Sequence, residues 1–155
     1  MHCMAHARRK FIDALQNDRA LAEHALNLFG ELYAVERKIK EAGLSGDAVV
    51  AVRQQEAVPV LTTLHVLMQE EYPKIQLKKS PIAQAMAYGL PRWEKLCIYT
   101  TDARLQIDNN CVENAIKPVA IGRKNYLFAG SHEAAQRAAM IYSLLATYKL
   151  HGNNP

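Results

Sequence analysis

The sequence predicts a mainly α-helical protein with at most one or two short strands, and three observations carry that prediction. Apolar residues recur at spacings of three and four over several long segments, the period of one helix face. Helix-start residues stand just ahead of those segments at Asp18, Ser80 and Ser131. Strand-like alternation is confined to Leu105 and Ile107.

The elements follow in chain order. Residues 5–16 have the composition of a short helix. Asp18 then caps a longer one at 19–42, whose seam is Leu21, Ala25, Leu28, Leu32, Val35 and Ile39. Phe29 and Tyr33 widen the seam, so this helix should pack on more than one neighbour. Gly43 ends it, and Ala42–Gly46 reads as a loop. A second helical stretch runs from Asp47 to Tyr72, where Pro59 should kink or split it. Beyond Pro59, residues Val60, Leu61, Leu64, Leu67 and Met68 share a face, with His65 beside it as a boundary residue rather than a catalytic one. Tyr72-Pro73 closes the segment.

Ser80-Pro81 pairs an N-cap serine with a proline at the first helical position. Ile82, Met86, Leu90, Trp93 and Leu96 mark the buried face that follows, bent by Gly89 and Pro91, with Trp93 as a core anchor. Ser131 caps a last helix lined by Ala134, Ala138, Ile141, Leu145 and Tyr148 and closed by Gly152. The helices at 19–42 and 131–151 keep the period throughout and are expected to be core elements.

Length suits one domain, 1–155, with a single sizeable core. Half the residues are apolar and 22% are charged, the balance of a soluble globular protein. No apolar run approaches the roughly 18 residues of a membrane span, and the start lacks a signal-peptide core. A cytoplasmic location is the default. Three cysteines at wide spacing argue against a disulfide framework. Cys97 and Cys111 read as small buried or half-buried residues. Cys3 and His6 have metal-ligand spacing, but no second pair completes a zinc site. The net charge of +4 is modest. Its distribution is more informative: Arg8-Arg9-Lys10, the run Lys74, Lys78, Lys79 and Arg92, and the group Lys117, Arg123 and Lys124. Each is either a solvated face or part of a phosphate-binding surface.

Chemistry concentrates in Leu105–Ser131, LQIDNNCVENAIKPVAIGRKNYLFAGS. A strand candidate runs into Asp108–Asn109–Asn110, Glu113 follows three residues past Asn110, and an acid-free stretch spans Lys117 to Lys124. That spacing has two readings: Glu113 caps its own helix in a capping box, or the helix aims its carboxylate at a metal or substrate.

The pattern D-N-N-x-x-E, then Lys117-Pro118, then Gly122 through Ser131, resembles the insertion-sequence-66 family of bacterial transposases. Cys3-Met4-Ala5-His6-Ala7-Arg8-Arg9-Lys10-Phe11 is similar to the family's C-W-A-H-A-R-R-K-F, and Ser80-Pro81-Ile82 with Tyr88, Trp93 and Leu96 is similar to the segment before D-N-N. The resemblance spans nearly the whole chain. It departs at Met4, where the family usually has Trp, and at Asn114 and Lys117, where it usually has Arg.

The resemblance implies a ribonuclease-H-like catalytic domain in which two aspartates and a glutamate hold two divalent ions about 4 Å apart for phosphoryl transfer to DNA. It assigns Glu113 as the catalytic, metal-binding glutamate and Asp108, Asn109 and Asn110 as the supporting motif. Magnesium or manganese is the implied cofactor in the intact enzyme, with no tight binding expected to this chain alone. Lys117, Arg123, Lys124, Arg8, Arg9 and Lys10 are the implied DNA contacts. The family's two aspartates lie upstream of C-W-A-H-A-R-R-K-F, and Asp13, Asp18, Asp47, Asp102 and Asp108 do not match them. The chain is therefore expected to be the C-terminal part of a DDE domain, inactive alone. In it, 17–104 would be a helical insertion, and 105–155 would carry the glutamate-bearing helix and a final helix. Implied partners are transposon-end DNA and the remainder of the transposase or a second copy, in a nucleoid-associated setting. The alternatives are a stand-alone helical DNA-binding or regulatory module, and a helical interaction protein with no nucleic-acid role.

Overall fold

A computed structural model describes residues 3–76, 79–126 and 129–152, together with the backbone but not the side chains of Cys111 and Tyr126. The chain forms two compact units, Met1–Asn109 and Asn110–Pro155. The fold is mainly α, with no strand among the described residues.

The first unit begins with α1, Met4–Asp13, which buries Met4, Ala7 and Phe11. It is shorter than the expected 5–16, because residues 14–17 form a turn. Helix α2, Arg19–Glu41, starts where Asp18 accepts a hydrogen bond from Leu21 N–H at 3.2 Å. Its expected seam is the buried face, with Leu21 at its edge. Phe29 meets Phe11 of α1 at 5.6 Å between ring centroids, and α2 also packs on α4. Leu32 is fully buried, worth roughly 1.5–3 kcal/mol relative to exposure. The loop after α2 turns through Gly43 and Gly46, both at positive φ, where a side chain would be strained.

Helix α3, Asp47–Val52, runs through a π-helical turn at Arg53–Ala57 into α4, Val58–Ile75. Pro59 thus neither splits the segment nor sits at the irregularity itself. It occupies the first turn of α4, and the widened turn just ahead relieves the clash between its ring and the preceding carbonyls. Pro73 likewise lies inside α4, which continues to Ile75 beyond the expected close at Tyr72. Leu61, Leu64 and Met68 are buried.

Ser80 caps α5, Pro81–Gly89, accepting from Ala83 N–H at 3.4 Å, while Asn17 takes the Ile82 N–H at 3.4 Å. Helix α5 packs on α1 and α4. Gly89 approaches α4 so closely that a Cβ there would stand 3.2 Å from the Met68 sulfur. The expected bend is a 3₁₀ turn at Leu90–Arg92, followed by α6, Trp93–Cys97, and a second 3₁₀ turn at Ile98–Thr101. Trp93 is half-buried at the core margin, its ring stacked on His65 at 4.8 Å and 6°. Burial lifts the half-buried Cys97 thiol to about 11, so it stays protonated near neutral pH.

In the second unit, α7 spans Asn110–Tyr126 and α8 spans His132–Leu150. Ser131 caps α8 as expected, accepting from Ala134 N–H at 3.1 Å, and Gly152 follows it at positive φ. The expectation that 131–151 is a core element is not met. No described side chain of α8 is buried, and Ile141, Leu145 and Tyr148 are exposed. Helical period tells which face would be covered, not that anything covers it. No helix among the described residues is long and apolar enough to cross a membrane.

Candidate functional site

The segment leading to Asp108 is where sequence expectation and structure part most clearly. Leu105 and Ile107 do turn inward, Ile107 being buried and Leu105 half-buried against the core. The backbone there is nevertheless a series of turns and bends, not a strand. Alternation predicts which side chains bury, but a strand needs a paired neighbour, and none exists among the described residues.

Side chains and the N-terminal segment replace the missing ladder. Ile107 C=O accepts from Met4 N–H at 3.2 Å, and Asn109 N–H donates to the Cys3 sulfur at 3.3 Å. Asp102 accepts from Arg104 N–H at 2.8 Å and pairs with its guanidinium at 2.7 Å. That exposed pair holds the Asp102 carboxyl down at about 2. Gln54 donates to Thr100 C=O at 2.9 Å.

The largest contribution comes from Arg53, buried at 3% exposure at the start of the π-helical turn. Its Nη1 donates to the carbonyls of Tyr99, Leu105 and Asp102 at 2.7, 3.0 and 3.2 Å. Nε and Nη2 grip both oxygens of Glu36 on α2 at 2.8 and 2.7 Å. The guanidinium also lies 5.2 Å from the Tyr99 ring centroid. Burial, then the Glu36 charge, raises the Tyr99 hydroxyl above its ordinary value. Sequence reading missed both Arg53 and Glu36. The signal was present: Val49, Arg53 and Ala57 fall four apart, placing an arginine on a buried helical stripe.

Asp108 and Asn109 close the first unit and are half-buried. Asp108 lies near enough to Tyr33 to help hold that phenol at about 12. Burial is the larger cause, Cys3 acts in the same sense and Arg8 opposes. A groove beside this segment is lined by Tyr33 and Asp108 together with Arg37, Lys40 and Arg104, three cations that sequence reading did not single out.

Helix α7 carries the remaining predicted residues. It begins at Asn110 with Glu113 in its first turn, where a carboxylate is favoured by the helix dipole. Glu113, Lys117, Arg123 and Lys124 are all exposed. At 100° per residue, Glu113, Lys117 and Lys124 share one face and Arg123 lies about a quarter turn aside. Of the α1 cluster, Arg8 and Arg9 are exposed, while Lys10 is half-buried with its ammonium 5.2 Å from the Tyr88 ring centroid. In the middle cluster Lys74 pairs with Glu71 at 2.8 Å, and Arg92 packs on Tyr88 at 4.6 Å. Lys78, the side chain of Cys111, and Leu127 and Phe128 of the long motif lie outside the described residues.

A hard divalent ion needs several convergent oxygens before it gives up its waters. Glu113 suits one such ligand position. It is the single acid of α7, whose other charged residues are cations, so this helix by itself does not fit a two-ion site.

Comparison with known proteins agrees with the motif. Residues 1–137 match the family model described as Transposase IS66 family. Three uncharacterized proteins of Sinorhizobium fredii are similar over 99% of this chain: y4hP at 34% identity, y4qI at 36% and y4jD at 32%. The chain spans only 30%, 28% and 30% of their respective lengths. No solved structure matches. With more than half of its length matched to the family model, the chain belongs to the IS66 family of transposases.

Proposed function

We propose that this chain is the helical C-terminal part of a DDE transposase catalytic domain, with Glu113 as its metal-binding carboxylate. In this reading it works in DNA strand cleavage and transfer only together with an aspartate-bearing segment. The observation that carries the reading is the setting of Glu113: exposed, in the first turn of α7, with Lys117 and Lys124 on the same face. A carboxylate flanked by cations suits a reaction centre approached by phosphodiesters, since the lysines attract phosphate while the acid ligates metal. In the intact enzyme, bound magnesium or manganese would stabilise the attacking and leaving oxygens. Asp108, Asn109 and Asn110 order the turn ahead of Glu113, and residues 17–104 serve as a helical insertion that scaffolds that turn.

The test joins this chain to the aspartate-bearing segment and measures strand transfer with magnesium or manganese. Glu113→Gln should abolish activity with helicity unchanged, because Gln keeps size and capping capacity but removes the charge. Full activity from that variant would sink the assignment in favour of simple capping. The 155-residue chain alone should neither cleave nor join DNA, and activity from it would overturn the fragment reading.

A second reading, a stand-alone DNA-binding or regulatory module, draws on the exposed cations of α7 and on Arg8 and Arg9. It predicts repression of transposition in trans by the isolated chain, which the first reading does not require.

A further inference from the structure

We infer that Arg53, braced by Glu36, is the positioning residue for the Asp108–Asn109 segment. This rests on reading the D-N-N block as part of the reaction site. Residues 102–109 contain no regular helix or strand, so their backbone polar groups need partners from elsewhere. Arg53 supplies them for Asp102 and Leu105 in the connection, and for Tyr99 in the last 3₁₀ turn just ahead of it. Its own orientation is set by the two-point grip of Glu36, from a different helix. The guanidinium therefore ties α2, the π-helical turn and the connection into one piece, four residues before Asn109 (Leu105 being the last carbonyl held). The remaining anchors, Met4 N–H on Ile107 and Asn109 N–H on Cys3, then act on a segment whose approach is already held.

Lysine cannot reproduce this arrangement. An ammonium is a single point of donors, whereas the planar fork reaches a carboxylate on one side and carbonyls on the other. The π-helical turn begins at Arg53 itself, a widened turn of the kind that recurs at functional sites.

The test is residue-resolved amide hydrogen exchange on the 155-residue chain. In Arg53→Lys, the amides of Leu105 and Asn109, and that of Met4, which donates to Ile107 C=O, should exchange at least about tenfold faster, the size expected for losing one charge-assisted hydrogen bond. Amides in the middle of α2 and α4 should accelerate by a smaller factor, the one set by the loss of global stability. In Arg53→Ala, guanidinium chloride far below its denaturing range should restore protection at Met4 and Asn109, where equal sodium chloride should not. Unchanged exchange at Met4, Leu105 and Asn109 would overturn the inference. So would acceleration through α2 and α4 as large as that at Leu105 and Asn109, the mark of a merely structural role. Strand transfer by Glu113→Gln is a separate readout, so failure of the catalytic assignment and failure of this inference are distinguishable.

Discussion

Removing Glu36 leaves the Arg53 charge buried without its counter-ion, and the structure allows the cost to be bounded. Breaking one side of a buried ion pair costs about 3–5 kcal/mol. Here the Arg53 side chain is 4% exposed and that of Glu36 is 19% exposed, so water reaches the pair only from the glutamate side. Arg53 also retains its three carbonyl acceptors. Both facts favour the low end, so Glu36→Ala should cost about 3 kcal/mol. For a chain of this size each kcal/mol moves Tm by roughly 2–4 °C, a fall of roughly 6–12 °C. Glu36→Gln keeps one acceptor oxygen and should lose less. Lys38→Ala is the matched control, since its ion pair with Glu56 joins the same elements but is 59% and 35% exposed, and such pairs contribute about 0–1 kcal/mol. Urea denaturation followed by ellipticity and by Trp93 fluorescence measures all three. A loss under about 1 kcal/mol for Glu36→Ala, or one no larger than for Lys38→Ala, would refute the buried-charge argument.

Leu32→Ala should cost about 2–5 kcal/mol because that side chain is fully buried, whereas Leu145→Ala, on an exposed position, should fall within about 0.5 kcal/mol of the parent. Equal losses in thermal unfolding would show that α8 is covered in solution. Burial holds His65 below its ordinary value of 6.5, so the folded state takes up its proton less readily than the unfolded chain. The stability it contributes is present above pH 6.5 and is lost as pH falls through the lower folded value. Because His65 stacks on Trp93, fluorescence should titrate with a midpoint below 6.5 that disappears in His65→Gln; a midpoint at or above 6.5 contradicts the burial. DNA binding by the isolated chain should be weak, insensitive to sequence and steeply weakened by salt, with Arg123→Ala and Lys124→Ala together lowering it. Salt-independent affinity in titrations at two ionic strengths counts against phosphate contact.

Much of the fold was legible because local chemistry decides it. The Asp18, Ser80 and Ser131 caps satisfy N–H groups three residues away, and the α2 seam reports its buried face through a period that any helix obeys. The D-N-N-x-x-E spacing and the residues after it were enough to indicate the family and to place Glu113 at a helix start. What depends on distant neighbours was not legible. Leu105 and Ile107 alternate like a strand, yet no strand among the described residues pairs with them. The α8 stripe keeps its period, yet nothing described buries it. Spacing with Val49 and Ala57 hints that Arg53 lies on a buried stripe, but only packing supplies the partners that let it stay inside the unit. There Glu36, 17 residues earlier, and carbonyls 46–52 residues later make a buried charge tolerable. Periodicity and capping are properties of adjacent residues and survive in the sequence. Burial, strand pairing and desolvation of a charge are properties of what comes to lie against a residue, so tertiary structure alone decides them.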